Sequence, residues 1–380
     1  MSRTPRCARS GGPPDAGRPF TLYGWHLSFY AGKVRCYLAN KGIPFRDREV
    51  SLYTLTRQIK RRTGAVVMPV VVTPEGEWLQ DSSAIIDELE RRFPEYPVLP
   101  ATPVQRFASV LLETWGDEWW IPIAMHTRWS HPENYVLFES DAGPALLPYF
   151  PGFLQKRAVA RVARLLRSYL PQVGIVPDQL AMMDAWTRSM LDSLDAHFAQ
   201  HRYLLGGRPT IGDFGLVGTM YGHLGRDPWP KRELVDPRKN LRAWIDRMAK
   251  PVPGASGDLP AADRIPPSLD PVWQSIVREF LPMIEAILEN TRALAAAVPE
   301  GQPLPRNAGE VVCPMGNGQF RRGGMPFAIW KMQRLLDIHR AMPPEQQSSV
   351  RVWLRSIGGE RMLDLEIPRL KRVALQVALA

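Results

Sequence analysis

The chain has 380 residues, 45% apolar and 23% charged, with a formal net charge of +10. That length allows two or three domains with real cores, and the composition excludes a fibrous or wholly disordered chain. Its longest apolar runs fall short of the ~18 residues of a membrane span, its scattered cysteines Cys7, Cys36 and Cys313 suit neither a disulfide framework nor a metal site, and its arginine-rich charge is spread without any nucleic-acid-binding motif.

Residues 1–18 are basic but lack the apolar segment of a signal peptide, so a disordered tail is expected. Phe20–Tyr23 reads as a short buried strand. Ser28 then precedes a helix from Phe29 to Asn40, ended by Gly42 with Pro44 beyond it. A second strand is expected over Phe45–Val50, and an irregular basic helix over 53–63. Val66–Val72 is a strand with Pro69 in its middle. Proline removes a ladder donor there, and one reason for it is a cis peptide bond. The turn Pro74-Glu75-Gly76 leads to a strand at Trp78–Leu79. Gln80-Asp81-Ser82-Ser83 then opens a helix over 81–93 with Ile85, Ile86 and Leu89 facing inward. Such a helix start offers free N–H groups and a positive dipole end to an anion.

Pro94–Pro103 is the best linker. Helical periodicity follows over 104–125, 152–169, 178–201, 210–224 and 237–249, with 129–151 expected as a loop or broken helix. The helix at 152–169 carries Lys156, Arg157, Arg161, Arg164 and Arg167 along one edge, opposite Val159, Val162, Leu165 and Leu166. Pro251–Ser268 reads as a second flexible stretch. Helices are expected near 271–297, 326–342, 345–356 and 360–378, with a small hairpin over 311–320 around Gly316-Asn317-Gly318.

Three segments together resemble the glutathione S-transferase family. Phe20–Tyr23 followed by Ser28-Phe29-Tyr30-Ala31-Gly32-Lys33-Val34-Arg35 resembles its first strand and the motif that starts its first helix. Met68-Pro69 with Asp81-Ser82 resembles its peptide-binding elements. Arg208-Pro209-Thr210-Ile211-Gly212-Asp213 resembles its folding motif, in which Thr210 and Asp213 form a structural capping box. The implied fold is an α/β thioredoxin-like domain at 19–94, an all-α helical domain at 103–250, and a mostly helical C-terminal extension at 270–380 that the resemblance does not cover.

The resemblance implies glutathione as co-substrate, and a homodimer as the default assembly. Met68, before Pro69, would pair its backbone with the cysteinyl part. Asp81 would take the γ-glutamyl ammonium and Ser82 the carboxylate, with Gln80 beside them. Ser28 matches the thiolate-donor position and Tyr30 is its rival. Phe29 and Ala31 depart from the family motif, where proline and a second serine or cysteine are usual. Trp115, Trp119 and His126 are candidates for a second-substrate pocket, implying an apolar, aromatic electrophile. No nucleic acid, transmembrane segment or metal is expected, and a reducing cytoplasmic setting fits the cysteines. The leading expectation is an enzyme that activates the glutathione thiolate against that electrophile. The alternatives are a non-catalytic glutathione or hydrophobic-ligand binding protein, and an interaction protein acting through the extension.

Overall fold

A computed structural model describes residues 19–254, 257–299 and 301–380. The tail expected at 1–18, including Cys7, lies outside them. Within the N-terminal part, β1 (Phe20–Tyr23), α1 (Phe29–Lys41), β2 (Phe45–Arg48), α2 (Lys60–Thr63), β3 (Val70–Val72), β4 (Trp78–Gln80) and α3 (Ser82–Arg92) follow in order. The sheet order is β2-β1-β3-β4, with β1 and β2 parallel and the other pairs antiparallel. This is the thioredoxin-like arrangement. The expected strand at Val66–Val72 begins only at Val70, because Pro69 follows a cis bond from Met68 and cannot donate to the ladder.

Helices α4 (Pro103–Glu118), α5 (Ile121–Trp129), α6 (Glu133–Leu146), α7 (Gly152–Ser168), α8 (Leu180–Phe198), α9 (Ile211–Thr219), α10 (Pro228–Pro230) and α11 (Lys239–Ala249) form the helical domain. The periodicity over 104–125 is split in two. Pro122 cannot continue a helical ladder, and the chain turns at Trp119-Trp120. Residues 129–151, expected as a loop or broken helix, hold helix α6, which carries Pro144 near its end and breaks before α7.

The remaining elements are α12 (Asp270–Ser275), α13 (Leu281–Ala297), the hairpin β5 (Glu310–Met315) and β6 (Gly318–Gly323), α14 (Pro326–Arg340), α15 (Pro344–Ser356), and a second hairpin of β7 (Leu370–Val373) and β8 (Gln376–Leu379). The helix expected at 360–378 is therefore corrected. Pro368 interrupts it, and Leu370, Val373 and Val377 are placed instead on strands that turn at Ala374, whose φ is 55°. Helices α14 and α15 both pack on α4, so the extension is continuous with the main core.

Of the stretch 251–268, expected to be flexible, the segment 257–268 is tied to α4. Both carboxylate oxygens of Asp263 accept from the Val104 and Gln105 N–H groups, at 2.8 and 2.9 Å. Thr102, the local N-cap residue, makes no side-chain cap bond. A distant aspartate thus satisfies the first donors of α4.

Candidate functional site

Sheet register assembles the site. Tyr23 at the end of β1 faces Val70 at the start of β3, and Val70 faces Gln80 at the end of β4. The segments just beyond these residues therefore gather at one end of the sheet: Ser28 and Tyr30, Met68-Pro69, and Asp81-Ser82. The sequence-derived peptide-site residues are brought together by this geometry. Asp81 caps α3 by accepting from Ser83 and Ala84 N–H at 3.1 and 3.0 Å. Its φ of 75° with ψ of 128° lies outside the left-handed helical basin, a backbone conformation that costs any residue bearing a Cβ. Ser82 is buried at the first position of α3.

Ser28 caps α1 by accepting from Ala31 N–H at 3.3 Å, and among the described residues its hydroxyl proton has no acceptor. The neighbouring loop is held by Arg128, which donates to Leu27 O at 2.6 Å and forks onto the buried Asp227 at 2.8 and 3.1 Å. Tyr30 instead donates its hydroxyl to Asp117 O at 3.0 Å. Burial, followed by the carboxylates of Glu118, Asp117 and Asp81, holds its phenol well above the ordinary tyrosine range. It stays neutral, with its proton already committed.

The extension reaches this same place. Lys331 of α14 lies 2.6 Å from Ser83 Oγ, 3.4 Å from Asp117 Oδ2 and 3.6 Å from Asp81 Oδ1, with 3% of its side chain exposed. Burial lowers a lysine's affinity for its proton, but Asp81, Asp117, Glu113 and Glu118 outweigh it, and Lys331 titrates above an ordinary lysine. Asp81 is held below its usual range in turn; burial opposes this, and Lys331 foremost overcomes it. One turn later Arg334 forks onto Asp87 at 2.8 and 2.6 Å and reaches Glu113 Oε2 at 2.6 Å. Lys33 of α1, fully buried, bonds Glu113 and Asp117 at 2.7 Å each and Ser83 Oγ at 3.2 Å. The β7–β8 turn closes the side, where Gln80 donates to Ala374 O at 3.3 Å.

Charge balance in the cluster is incomplete. Glu118 is buried and pushed up to about 7 by burial, with Lys331 pulling the other way. Asp117 is raised by burial too, against the pull of Lys33 and Lys331, and its Oδ1 has no partner among the described residues. Nearby Arg322 of β6 is buried and, among the described residues, donates only to Glu118 O, Gly323 O and Met283 Sδ.

The expected second-substrate pocket needs correction. Trp115 and Trp119 are fully buried, as is Trp120 beside them. Trp119 packs edge-on to Trp186, Phe280 and Phe320, so the extension itself covers the aromatic stripe. His126 is also buried; its ring bonds Ser130 Oγ at 2.8 Å and Asp184 Oδ1 at 3.0 Å, joining α5 to α8. These side chains form core and leave no face for a ligand. Thr210 and Asp213 form a capping box at α9, and Asp213 also accepts from Leu204 N–H and the Trp244 indole.

Sequence reasoning missed Lys33, Glu113, Asp117, Lys331 and Arg334. The signal was present in α4, where Glu113, Asp117 and Glu118 fall beside the apolar Leu111, Leu112 and Trp115. Nothing local marks Lys331, which sits among apolar residues of a helix remote in the chain.

A thioredoxin-like domain followed by a helical domain, with a cis-proline and a capped helix at one end of the sheet, defines the glutathione-transferase class of fold. Residues 22–97 match the family model described as glutathione S-transferase, N-terminal domain, and residues 187–247 match the glutathione S-transferase C-terminal domain. The chain thus carries both glutathione S-transferase domains of that family, together with an additional C-terminal region. Curated relatives include the stringent starvation protein A homologs of Pasteurella multocida and Histophilus somni, each 28% identical over 103 residues, or 27% of this chain. The chain spans about half the length of these relatives, 48% in each case. Similar solved structures include a glutathione S-transferase from Rhodospirillum rubrum (19% identity, TM-score 0.41, covering 65% of this chain and 96% of that one). Another is beta-etherase LigF from Sphingobium (20% identity, TM-score 0.44, covering 63% and 97%).

Proposed function

We propose that this chain is a non-catalytic member of its family, a binding and interaction protein whose peptide site is filled by its own extension. One observation carries the reading: the Lys331 ammonium sits against Asp81 and Ser83, the place where the family resemblance puts the ammonium of glutathione. As arranged, the residues do not fit glutathione. Its γ-glutamyl ammonium would meet a lysine of like charge, and Gln80 is engaged by the β7–β8 turn. An electrophile site between the domains finds no support either, because Trp115 and Trp119 are enclosed. Features that suit a peptide remain nonetheless: the cis Met68-Pro69 bond and the half-buried Ser28 cap, whose hydroxyl proton has no acceptor among the described residues. The expected homodimer and cytoplasmic setting belong to this same reading, and light scattering on the purified chain checks the first.

Calorimetry with glutathione and turnover of a chloronitrobenzene test the proposal. The full chain is expected to show neither binding in the micromolar range nor turnover. The Lys331→Met chain, which uncovers Asp81, is expected to gain glutathione binding. Wild-type turnover that is lost in Ser28→Ala would establish the enzyme reading instead.

A further inference from the structure

Residues 142–177 contain Lys156, Arg157, Arg161, Arg164 and Arg167 and no aspartate or glutamate. The middle of this stretch is α7, and only Val159 and Ala163 of that helix are buried. Two of the five cations have partners: Lys156 lies 3.5 Å from Glu139, and Arg167 stands over the Trp129 and Tyr135 rings. Arg157, Arg161 and Arg164 are exposed and make no ion pair or hydrogen bond among the described residues. Together with Phe153 they fall at helical spacing on one face.

The turn into α7 adds large apolar side chains to that face. Tyr149 is 95% exposed, Phe150 52% and Phe153 62%. Adjacent exposed aromatics of this size are uncommon unless something covers them. A second segment has the same character. Residues 50–74 also lack any acid, and they expose Leu52, Tyr53, Arg57, Lys60 and Arg61. Leu55 and Ile59 beneath that segment pack in the same satellite core as Val159 and Ala163 beneath α7. Two acid-free, cationic, aromatic-bearing surfaces therefore cover one small core.

We propose that the Tyr149–Phe153 turn and the Arg157-Arg161-Arg164 face of α7 dock the protein on an anionic lipid bilayer. Charge complementarity selects the anionic headgroups, and the aromatics supply a shallow apolar anchor at the interface. The occupant is a bilayer rather than an acidic protein or nucleic acid, because exposed aromatics at the turn adjoin the exposed arginines, pairing an apolar anchor with a cationic face. Among the described residues no helix is long and apolar enough to cross a membrane, so contact is peripheral. This surface is separate from the Lys331 site, and the two readings stand or fall independently.

Vesicle co-sedimentation of the full chain tests the proposal. Binding is expected to vesicles containing phosphatidylglycerol, not to phosphatidylcholine alone, and is expected to weaken with salt. The Arg157→Gln/Arg161→Gln/Arg164→Gln chain should lose roughly a hundredfold in affinity, since each cation near an anionic surface strengthens binding about fivefold. The Tyr149→Ser/Phe150→Ser/Phe153→Ser chain should also bind less, with an unchanged circular dichroism melt. Three outcomes would overturn the idea: no sedimentation at low salt, undiminished binding by either variant, or binding to heparin or DNA without binding to vesicles.

Discussion

Lys331 stands 3.6 Å from an Asp81 carboxylate oxygen, joining the extension to the helix cap that the family resemblance assigns to its peptide ligand. The same ammonium is 2.6 Å from Ser83 Oγ, 248 residues earlier in the chain. An internal side chain thus satisfies the acid that sequence reasoning reserved for a ligand. The contact accounts for a C-terminal region that packs as core rather than trailing as an appendage.

Removing Lys331 should be costly. Lys331→Met leaves Asp81 and Asp117 buried with less compensation, and breaking a buried pair in this way costs about 3–5 kcal/mol. Urea denaturation is expected to show a loss of this size. The double variant Lys331→Met/Asp117→Asn should recover part of it, because one uncompensated charge is gone. A loss below about 1 kcal/mol would mean that the ion pair contributes little to docking of the extension.

Glu118 should make stability fall as pH rises. Its folded-state pKa is pushed up to about 7 by burial, with Asp117 and Asp81 adding to the rise and Lys331 and Arg322 opposing it. Between the ordinary glutamate range and about pH 7, the folded chain keeps a proton that the unfolded chain has lost. Glu118→Gln removes that difference. The variant is expected to match wild type near pH 4.5 and to exceed it by roughly 3 kcal/mol at pH 8. Melting curves across that range check it; parallel curves would contradict the burial of an ionising Glu118.

Asp213 should be structural. It accepts from Thr210 N–H, Leu204 N–H and the Trp244 indole, and burial pushes it up to about 6. Asp213→Ala strands these buried donors, so a loss of about 2–4 kcal/mol is expected. Asp213→Asn keeps an acceptor oxygen and should lose less. It should also compare better with wild type above pH 6 than at pH 4, since only the aspartate must ionise in its buried site as pH rises. An Asp213→Ala chain that melts like wild type would refute the capping role.

The cap supplied by Asp263 gives a sharper test of long-range design. Asp263→Ala leaves Val104 and Gln105 N–H without their acceptor, at an expected cost of about 1–2 kcal/mol. Asp263→Asn, which tolerates the observed φ of 57° and retains one acceptor, should cost less. Denaturant midpoints of the two variants decide it; equal midpoints would leave the cap without energetic weight.

Much of the fold could be read in the chain itself, because its signals are local. Pro69 in an apolar run, the Asp81-Ser82-Ser83 helix start, Gly42 after α1 and the Thr210–Asp213 pair each act through backbone geometry within a few residues. Apolar periodicity located α8, α13 and α14, and Gly316-Asn317-Gly318 marked the first hairpin. It could not say that Trp115 and Trp119 face the extension instead of a ligand, because a buried stripe has the same spacing in either case. Nor could it pair Lys331 with Asp81, Arg334 with Glu113, or Asp263 with the start of α4. Those pairings depend on electrostatics and desolvation between segments that only the tertiary structure brings within bonding distance.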